Sequence, residues 1–365
     1  MEFLSLREKS FGLDLSDLSL KFIEFKEKNN NIFINSFGER NIPQGIISEG
    51  KILDVERLAN IVKDAISNPY YNKLSTKYVV CSLPEEKAFV QVISIPKVSD
   101  EDLEKAVTLD VENYVPLPIS EVYFNYQKID ILGKSNHIDI LLSAVPKDIV
   151  EVYAQTISLA GLIPSSFVLE TEAIVKAVIE NNFSEKPVVI IDTGATRTSF
   201  IIFHKNAIRF SSSISISAND FTKQIASYFK ISLQEAEKIK IEKGLDKEYK
   251  SGALIKCCSD ILEKFSYETI KLISYYTSHS KDKHEDDIQE RVDKIIICGG
   301  GALLKGFPEY LYYKTGIKTE VANPWINIMK DDNYIPPIPF EKSLSFTTAI
   351  GLGLIGIKNP VFYNI

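Results

Sequence analysis

The chain has 365 residues, 45% of them hydrophobic and 25% charged, the balance of a globular protein long enough for roughly two to three domains. A formal charge of −7 leaves no basic surplus, which argues against a nucleic-acid partner. No apolar run approaches the ~20 residues of a membrane helix, and the opening MEFLSLREKSFGLDL lacks the apolar core and cleavage site of a signal peptide. The protein is therefore expected to be cytoplasmic, without direct membrane insertion.

FGLDLSDLSLKFIEF (11–25) has two apolar arms around a small polar centre, which predicts a hairpin, and NIFINSF (31–37) predicts a third strand. Asp54 reads as an N-cap, with Leu58, Ile61, Val62, Ala65 and Ile66 following at helical spacing. Strands KYVVCSL and AFVQVISIP come next. A helix is expected to open at Ser99, with acids in its first turn, and to end before Pro116. Strands EVYFNYQKIDI and HIDILLSAV precede helices around Ile149–Leu159 and Glu170–Ile179. A second strand-rich block starts at Pro187 with PVVIIDTGATRTSFIIF and AIRFSSSISI. Helices dominate from Ala218 to about His279, and SKDKHEDDIQER reads as a polar connector. Strand VDKIIIC, three glycines, a helix, strand KTEVANP and the Gly-rich helix SFTTAIGLGLIG complete an α/β pattern.

Four cysteines, Cys81, Cys257, Cys258 and Cys298, show no metal-ligand spacing and read as reduced, buried thiols. Adjacent Cys257 and Cys258 are not expected to point into one site on a helix. His279 and His284, five apart, do not share a helical face, so a solvated segment is expected there rather than a metal site.

IIICGGGALLKGF (295–307) resembles a phosphate cradle but fails two familiar tests. Phe307 stands where a P-loop needs Lys, and Leu304 where a dinucleotide fingerprint needs its third glycine. A different feature narrows the choice. Leu13–Phe25 aligns without a gap on Ile191–Phe203, so that Asp14 meets Asp192, Phe22 meets Phe200 and Phe25 meets Phe203. Each copy is an apolar strand, an Asp, a turn of small and polar residues, and a second strand.

Such a turn can offer backbone N–H groups to a phosphate, while its Asp holds Mg²⁺, usually through water. Two such hairpins would clamp a phosphate chain. Gly299, Gly300 and Gly301 then offer a side-chain-free bed for adenosine, and a helix starting near Leu303 would aim its N-terminus at the phosphates. In SLQEAEKIKIEKG, Glu237 and Lys240 share one helical face and suit ribose or adenine edges; taken alone, such a pair is more often an exposed ion pair.

Together these elements resemble the actin-like ATPase superfamily, and within it the PilM family of type IV pilus assembly. FGLDLSDLSLKFIEF, VPLPISEVYFNYQKI, DTGATRTSFIIF, SLQEAEKIK, GGGALLKGFPEYL, VANPW and AIGLGLIG carry the likeness. It implies an actin-like ATPase fold with two related lobes around a nucleotide cleft. Residues 1–76 would form the first lobe core, 77–171 an inserted subdomain shared with FtsA, and 172–186 a connecting helix. Residues 187–217 and 291–365 would form the second lobe core, and 218–290 its helical subdomain.

The resemblance further implies ATP and Mg as ligands. The first phosphate loop falls on Asp14–Lys21, with Ser16, Asp17, Ser19 and Lys21. The second falls on Asp192–Thr198, with Thr193, Gly194, Ala195 and Thr196. Glu170 takes the position that aligns water in related ATPases, although the usual Glu-Pro is missing. The implied partner is the cytoplasmic tail of a PilN-like inner-membrane protein, which would hold the chain at the inner face of the membrane. Other pilus assembly proteins or ATPases, and self-association, are further partners of this class, and secretion or DNA-uptake systems are related settings.

Ser16 departs from the glycine usual in that loop, where its β-carbon would narrow the backbone's approach to phosphate, and Asp17 would add a repelling charge. Nucleotide binding with slow or no hydrolysis is the expectation. The alternatives are an actin-fold kinase or ATPase, for which no catalytic Asp stands out, and an FtsA-like filament. The latter ends in a basic amphipathic helix, which GLGLIGIKNPVFYNI does not supply.

Overall fold

The computed structural model describes residues 9–29, 31–99, 101–129, 136–246, 248–279, 291–328 and 334–358. Along the chain the strands are β1 (Phe11–Leu15), β2 (Ser19–Lys28), β3 (Asn31–Asn41), β4 (Ile47–Ser48), β5 (Lys51–Ile52), β6 (Tyr78–Leu83), β7 (Phe89–Pro96), β8 (Val122–Ile129), β9 (His137–Pro146), β10 (Ile163–Leu169), β11 (Ser184–Thr193), β12 (Thr198–Lys205), β13 (Ala207–Ile214), β14 (Lys294–Cys298) and β15 (Lys318–Val321). The helices are α1 (Val55–Ser67), α2 (Leu103–Asp110), α3 (Lys147–Leu159), α4 (Glu170–Val178), α5 (Ala218–Phe229), α6 (Leu233–Lys243), α7 (Ala253–Cys257), α8 (Ser259–His279), α9 (Phe307–Thr315), α10 (Phe340–Leu344) and α11 (Thr347–Lys358).

The chain divides into two compact units. The first takes the residues up to Asn182, Pro324–Pro339 and the chain from Phe346 on; the second takes Phe183–Asn323 and Phe340–Ser345. Each is built on a five-stranded sheet. The orders are β10-β6-β1-β2-β3 and β13-β12-β11-β14-β15, the same arrangement read from opposite ends. In both, the first hairpin is antiparallel and its leading strand has a parallel neighbour on the other side.

The internal repeat is present in the register itself. Leu13 pairs Phe22 and Asp14 pairs Lys21, as Ile191 pairs Phe200 and Asp192 pairs Ser199. The second strand of each copy meets a bulge at the equivalent point, between Glu24 and Phe25 and between Ile202 and Phe203. A bulge adds one residue to the partner strand and bends it. These extra residues are Asn35 on β3 and Arg209 on β13. Matching pairing and matching bulges at corresponding positions make the two hairpins copies of one backbone design.

In the first unit, strands and helices bury a core that includes Phe11, Leu13, Leu20, Phe22, Leu58, Val62 and Tyr153. Asp54 caps α1 as expected, its carboxylate accepting from Arg57 N–H at 3.0 Å. The region 77–171 proves composite. β6 and β10 belong to the central sheet, whereas β7, β8, β9 and α2 form a subdomain with its own core around Ile93, Val107, Val111 and Ile140. α2 begins at Leu103, four residues after Ser99.

β10 was not expected, because Pro164 interrupts its pattern. It is an edge strand with a register shift between Pro164 and Ser166, which is where a residue without an N–H is tolerated. α11, expected within 291–365 as part of the second lobe, packs on β1, β2 and α4 of the first unit. Its glycines explain the fit: a β-carbon on Gly351 would lie 1.8 Å from the Ala173 carbonyl oxygen. The connector 280–290 and His284 lie outside the described residues, as does the side chain of His279.

Candidate functional site

The second unit's hairpin ends its buried run Val188–Ile191 at Asp192, on the carboxyl edge of the sheet. Gly194 N–H donates to the Arg197 carbonyl at 2.9 Å, closing a turn of Gly194, Ala195, Thr196 and Arg197. Beside it runs β14, where Cys298 pairs Asp192 and its thiol donates to Asp192 Oδ1 at 3.6 Å. Burial, then the Asp192 charge and this bond, push the Cys298 thiol well above its ordinary value.

The three glycines divide into two roles. Gly299 has φ +81°, and a β-carbon there would lie 2.4 Å from Asp192 Oδ1 and 2.6 Å from the Thr193 carbonyl oxygen. One on Gly301 would lie 2.3 Å from Thr193 Cγ2. These two glycines let β14 pack against the hairpin. Gly300 faces open space. It lines a cavity of about 210 Å³ whose floor is Gly300, Gly301, Leu303 and Leu304.

The expected helix start at Leu303 needs correcting. Residues Gly300–Leu303 form a single 3₁₀ turn, and α9 begins at Phe307. Gly306, at φ +80°, and Pro308 in the first turn set that later start. Leu303 therefore meets the cavity as a side chain rather than as a helix terminus.

The cavity wall comes from Glu237, Lys240 and Ile241 of α6 and from Ala218 and Phe221 of α5. Lys240 is 7% exposed, and its ammonium is fully engaged. It donates to the Ala218 carbonyl (3.1 Å) and Thr222 Oγ1 (2.8 Å) and pairs with Glu237 Oε2 (2.7 Å). Thr222 Oγ1 donates to the same carboxylate oxygen. The pair is thus no loose surface bridge. Lys240 is a strut that holds half-exposed Glu237 at the cavity and locks α6 to α5.

Glu341, Lys342 and Ser345 complete the rim, and the sequence reading missed them along with Ala218 and Phe221. The capping box of Ser217 and Asp220 is the local signal that would have fixed the start of α5.

In the first unit, Asp14 is 7% exposed. Ser82 Oγ donates to Asp14 Oδ1 at 3.2 Å and accepts from Leu15 N–H at 3.0 Å. Ser16 N–H donates to the Ser19 carbonyl at 2.9 Å, the bond that Gly194 makes to Arg197. Ser16 Oγ also donates to that carbonyl (2.8 Å), and Lys21 Nζ donates to Ser19 Oγ (2.7 Å).

Asp17 differs from expectation. Its carboxylate accepts from Gly50 N–H at 3.0 Å and is 9% exposed, turned toward the β4–β5 hairpin. Glu170, the first residue of α4, is 9% exposed. Burial first, then the charges of Asp14 and Glu170, push the Cys81 thiol up, so these three groups share one neighbourhood.

All four cysteines are free and buried. Cys257 and Cys258 do converge, with sulfurs 3.6 Å apart, because α7 ends between them. Among the described residues no group of three His, Cys, Asp or Glu could hold a metal ion, and no helix is long and apolar enough to cross a membrane.

Two duplicated sheets, each carrying a hairpin that ends in Asp, with an inserted subdomain in the first unit, define the actin-like ATPase fold. Solved structures agree. The PilM–PilN type IV pilus biogenesis complex aligns with TM-score 0.79 and 22% identity, covering 97% of this chain and 100% of that one. MreB5 of Spiroplasma citri bound to ADP aligns with TM-score 0.54 and 14% identity, covering 95% and 96%.

The family described as type IV pilus assembly protein PilM matches residues 12–357, and the chain belongs to it. It is also 23% identical to cell division protein FtsA of Streptococcus pneumoniae serotype 2, strain D39, over 347 residues, 86% of this chain and 75% of that protein.

Proposed function

We propose that this actin-like pilus assembly protein is a nucleotide-dependent scaffold whose second-unit cavity takes the adenosine of ATP. The observation that carries the reading is the division of labour among the glycines. Gly299 and Gly301 pack onto Thr193 and Asp192, while Gly300 opens onto the cavity beside Glu237. A planar base fits against a backbone without side chains, and a half-exposed carboxylate suits ribose hydroxyls.

The turns 14–21 and 192–198 are the proposed phosphate loops. Ser16 makes the same turn as Gly194, so its β-carbon leaves the backbone amides in the same arrangement. Its hydroxyl is engaged by Ser19. Asp17 directs its charge to Gly50 and is not a phosphate contact in this reading.

Asp14 and Asp192 are carboxylates at strand ends, the first accepting a hydrogen bond from Ser82 and the second from Cys298. That donor set fits Mg²⁺, which keeps several waters and takes phosphate oxygens for the rest. When bound, the ion would neutralise phosphate charge. Glu170 is the one candidate for orienting water. It is 9% exposed, and its charge acts on the buried Cys81 thiol.

The partner in this reading is the cytoplasmic tail of a PilN-like inner-membrane protein, supported by the naming of the PilM–PilN complex. Bound ADP in MreB5 supports the nucleotide. ATP can bias tail binding only if both ligands prefer the same conformation.

Thermal unfolding with Mg-ATP tests the core of the proposal. At a hundredfold excess over Kd, stabilisation of about 2.7 kcal/mol is expected, and no shift at high nucleotide concentration would refute it. Titrating labelled tail peptide with and without Mg-ATP tests the coupling, which equal affinities would exclude. Phosphate release at ~1–10³ per second would instead make the protein an ordinary enzyme.

A further inference from the structure

The α7–α8 junction carries two thiols that the proposed function leaves unused. Neighbouring side chains of a regular helix project about 100° apart. Here α7 stops at Cys257, and Cys258 takes φ −95° and ψ 5° before α8 starts at Ser259. The break brings the two sulfurs to 3.6 Å. Cys257 Sγ also donates to the Leu254 carbonyl at 3.3 Å, which leaves the Cys258 thiol to donate to Cys257.

The location matters as much as the distance. α7, which ends at Cys257, packs against α5. The Lys240 ammonium anchors Ala218 and Thr222 of that same α5, together with Glu237, at the cavity wall. The thiol pair therefore stands behind the wall that holds Glu237.

We propose that Cys257 and Cys258 form a redox-modification site, in which a peroxide converts the vicinal dithiol to a disulfide and thereby alters the Lys240 wall of the cavity.

The chemistry balances. The Cys257 thiol gives up its proton and the thiolate attacks one peroxide oxygen, forming a sulfenic acid as the O–O bond breaks; the other oxygen leaves as hydroxide and takes up that proton to become water. The Cys258 thiol then attacks that sulfur, the S–S bond forms and a second water leaves. The pair loses two hydrogens and the peroxide takes up both electrons.

Hydrogen bonding from Cys258 holds the Cys257 thiol below its ordinary value, which suits Cys257 as the attacking group. Access needs only local opening. Cys257 is 5% exposed on a five-residue helix, the kind of short element that opens below the global unfolding free energy. Cys81 and Cys298 are 0% exposed and lie on strands of the two separate sheets.

The test uses the native full-length chain treated with hydrogen peroxide, followed by denaturing thiol titration and peptide mapping. Two of the four thiols should be lost, within one monomeric peptide lighter by two hydrogens, and Cys257→Ser should abolish the product. Four surviving thiols, or a bridge between any other cysteines, would overturn the assignment.

The link to the cavity rests on the proposed function and is read separately, from the Mg-ATP thermal shift. Peroxide-treated protein should lose most of the shift that reduced protein shows, and equal shifts would overturn the link. No shift even in reduced protein would refute the nucleotide reading, whereas the dithiol result is decided by the mapping.

Discussion

The two hairpins share a backbone and differ in what they do with its tip. Both pair in the same register, both place a bulge at the same point, and both close the turn with an N–H to carbonyl bond three residues on. In each, a residue near the carboxyl end of the parallel neighbouring strand donates to the Asp: Ser82 to Asp14, and Cys298 to Asp192. The tips then diverge. The first satisfies its own polar groups through Ser16, Ser19, Lys21 and the Asp17–Gly50 bond. The second carries Ala195 and Thr196 and stands against three glycines, where the first has Leu83, Pro84 and Glu85. The two copies therefore share the strand geometry that aims a loop and differ in the side chains that the tip carries.

The glycines beside the second tip are separable by substitution. Gly299→Ala adds a β-carbon at φ +81°, against the Thr193 carbonyl and the Asp192 carboxylate. A loss of about 2–4 kcal/mol is expected from strain and overpacking together, read as a lower denaturant midpoint. Gly300→Ala meets nothing within 4 Å. It should hold the midpoint to within about 0.5 kcal/mol while reducing the Mg-ATP shift. If both variants behaved alike, the glycines would not have separate roles.

Two carboxylates contrast the units by proton binding. Glu172, on the first turn of α4, has its pKa pushed up to about 7 by burial. Glu320 of β15 is also opposed by burial, yet hydrogen bonds and charge from Lys294 and Lys318 leave it below the usual carboxylate value.

For Glu172 the folded chain keeps a proton that the unfolded chain has lost. Stability from this residue is complete below about pH 4.5 and declines as pH rises through 7. Glu320 works in reverse: its contribution is present above the unfolded pKa and is lost as pH falls through the lower folded value. Glu172→Gln should accordingly flatten the decline between about pH 4.5 and 7 by roughly 1–3 kcal/mol, measured by urea unfolding across that range. An unchanged slope would mean that the Glu172 carboxyl is solvated.

Much of the frame was legible because periodicity and repetition act locally. The alignment of Leu13–Phe25 on Ile191–Phe203 carried the pairing register, since side-chain alternation ties sequence position to sheet face. β10 was hidden because Pro164 breaks the strand pattern, and only an edge with a bulge accommodates it. Glu237 and Lys240 were legible as a pair, but their unequal roles depend on Ala218 and Thr222, distant in sequence. The glycines stood out together. Which of them packs and which faces open space depends on Thr193, and no local pattern encodes that contact.

The smallest expected effect falls on the residue where the two loops differ most visibly. Ser16 and Gly194 make equivalent bonds, and neither has a positive φ. Ser16→Gly removes a hydroxyl bond to the Ser19 carbonyl and frees the unfolded chain, so a loss of about 0.5–1 kcal/mol is expected. If phosphate is read by backbone amides, the Mg-ATP shift of this variant should match the parent. A larger shift would mean that the Ser16 side chain obstructs the loop. The reciprocal Gly194→Ser would then be expected to weaken binding, because it places the same side chain in the equivalent turn.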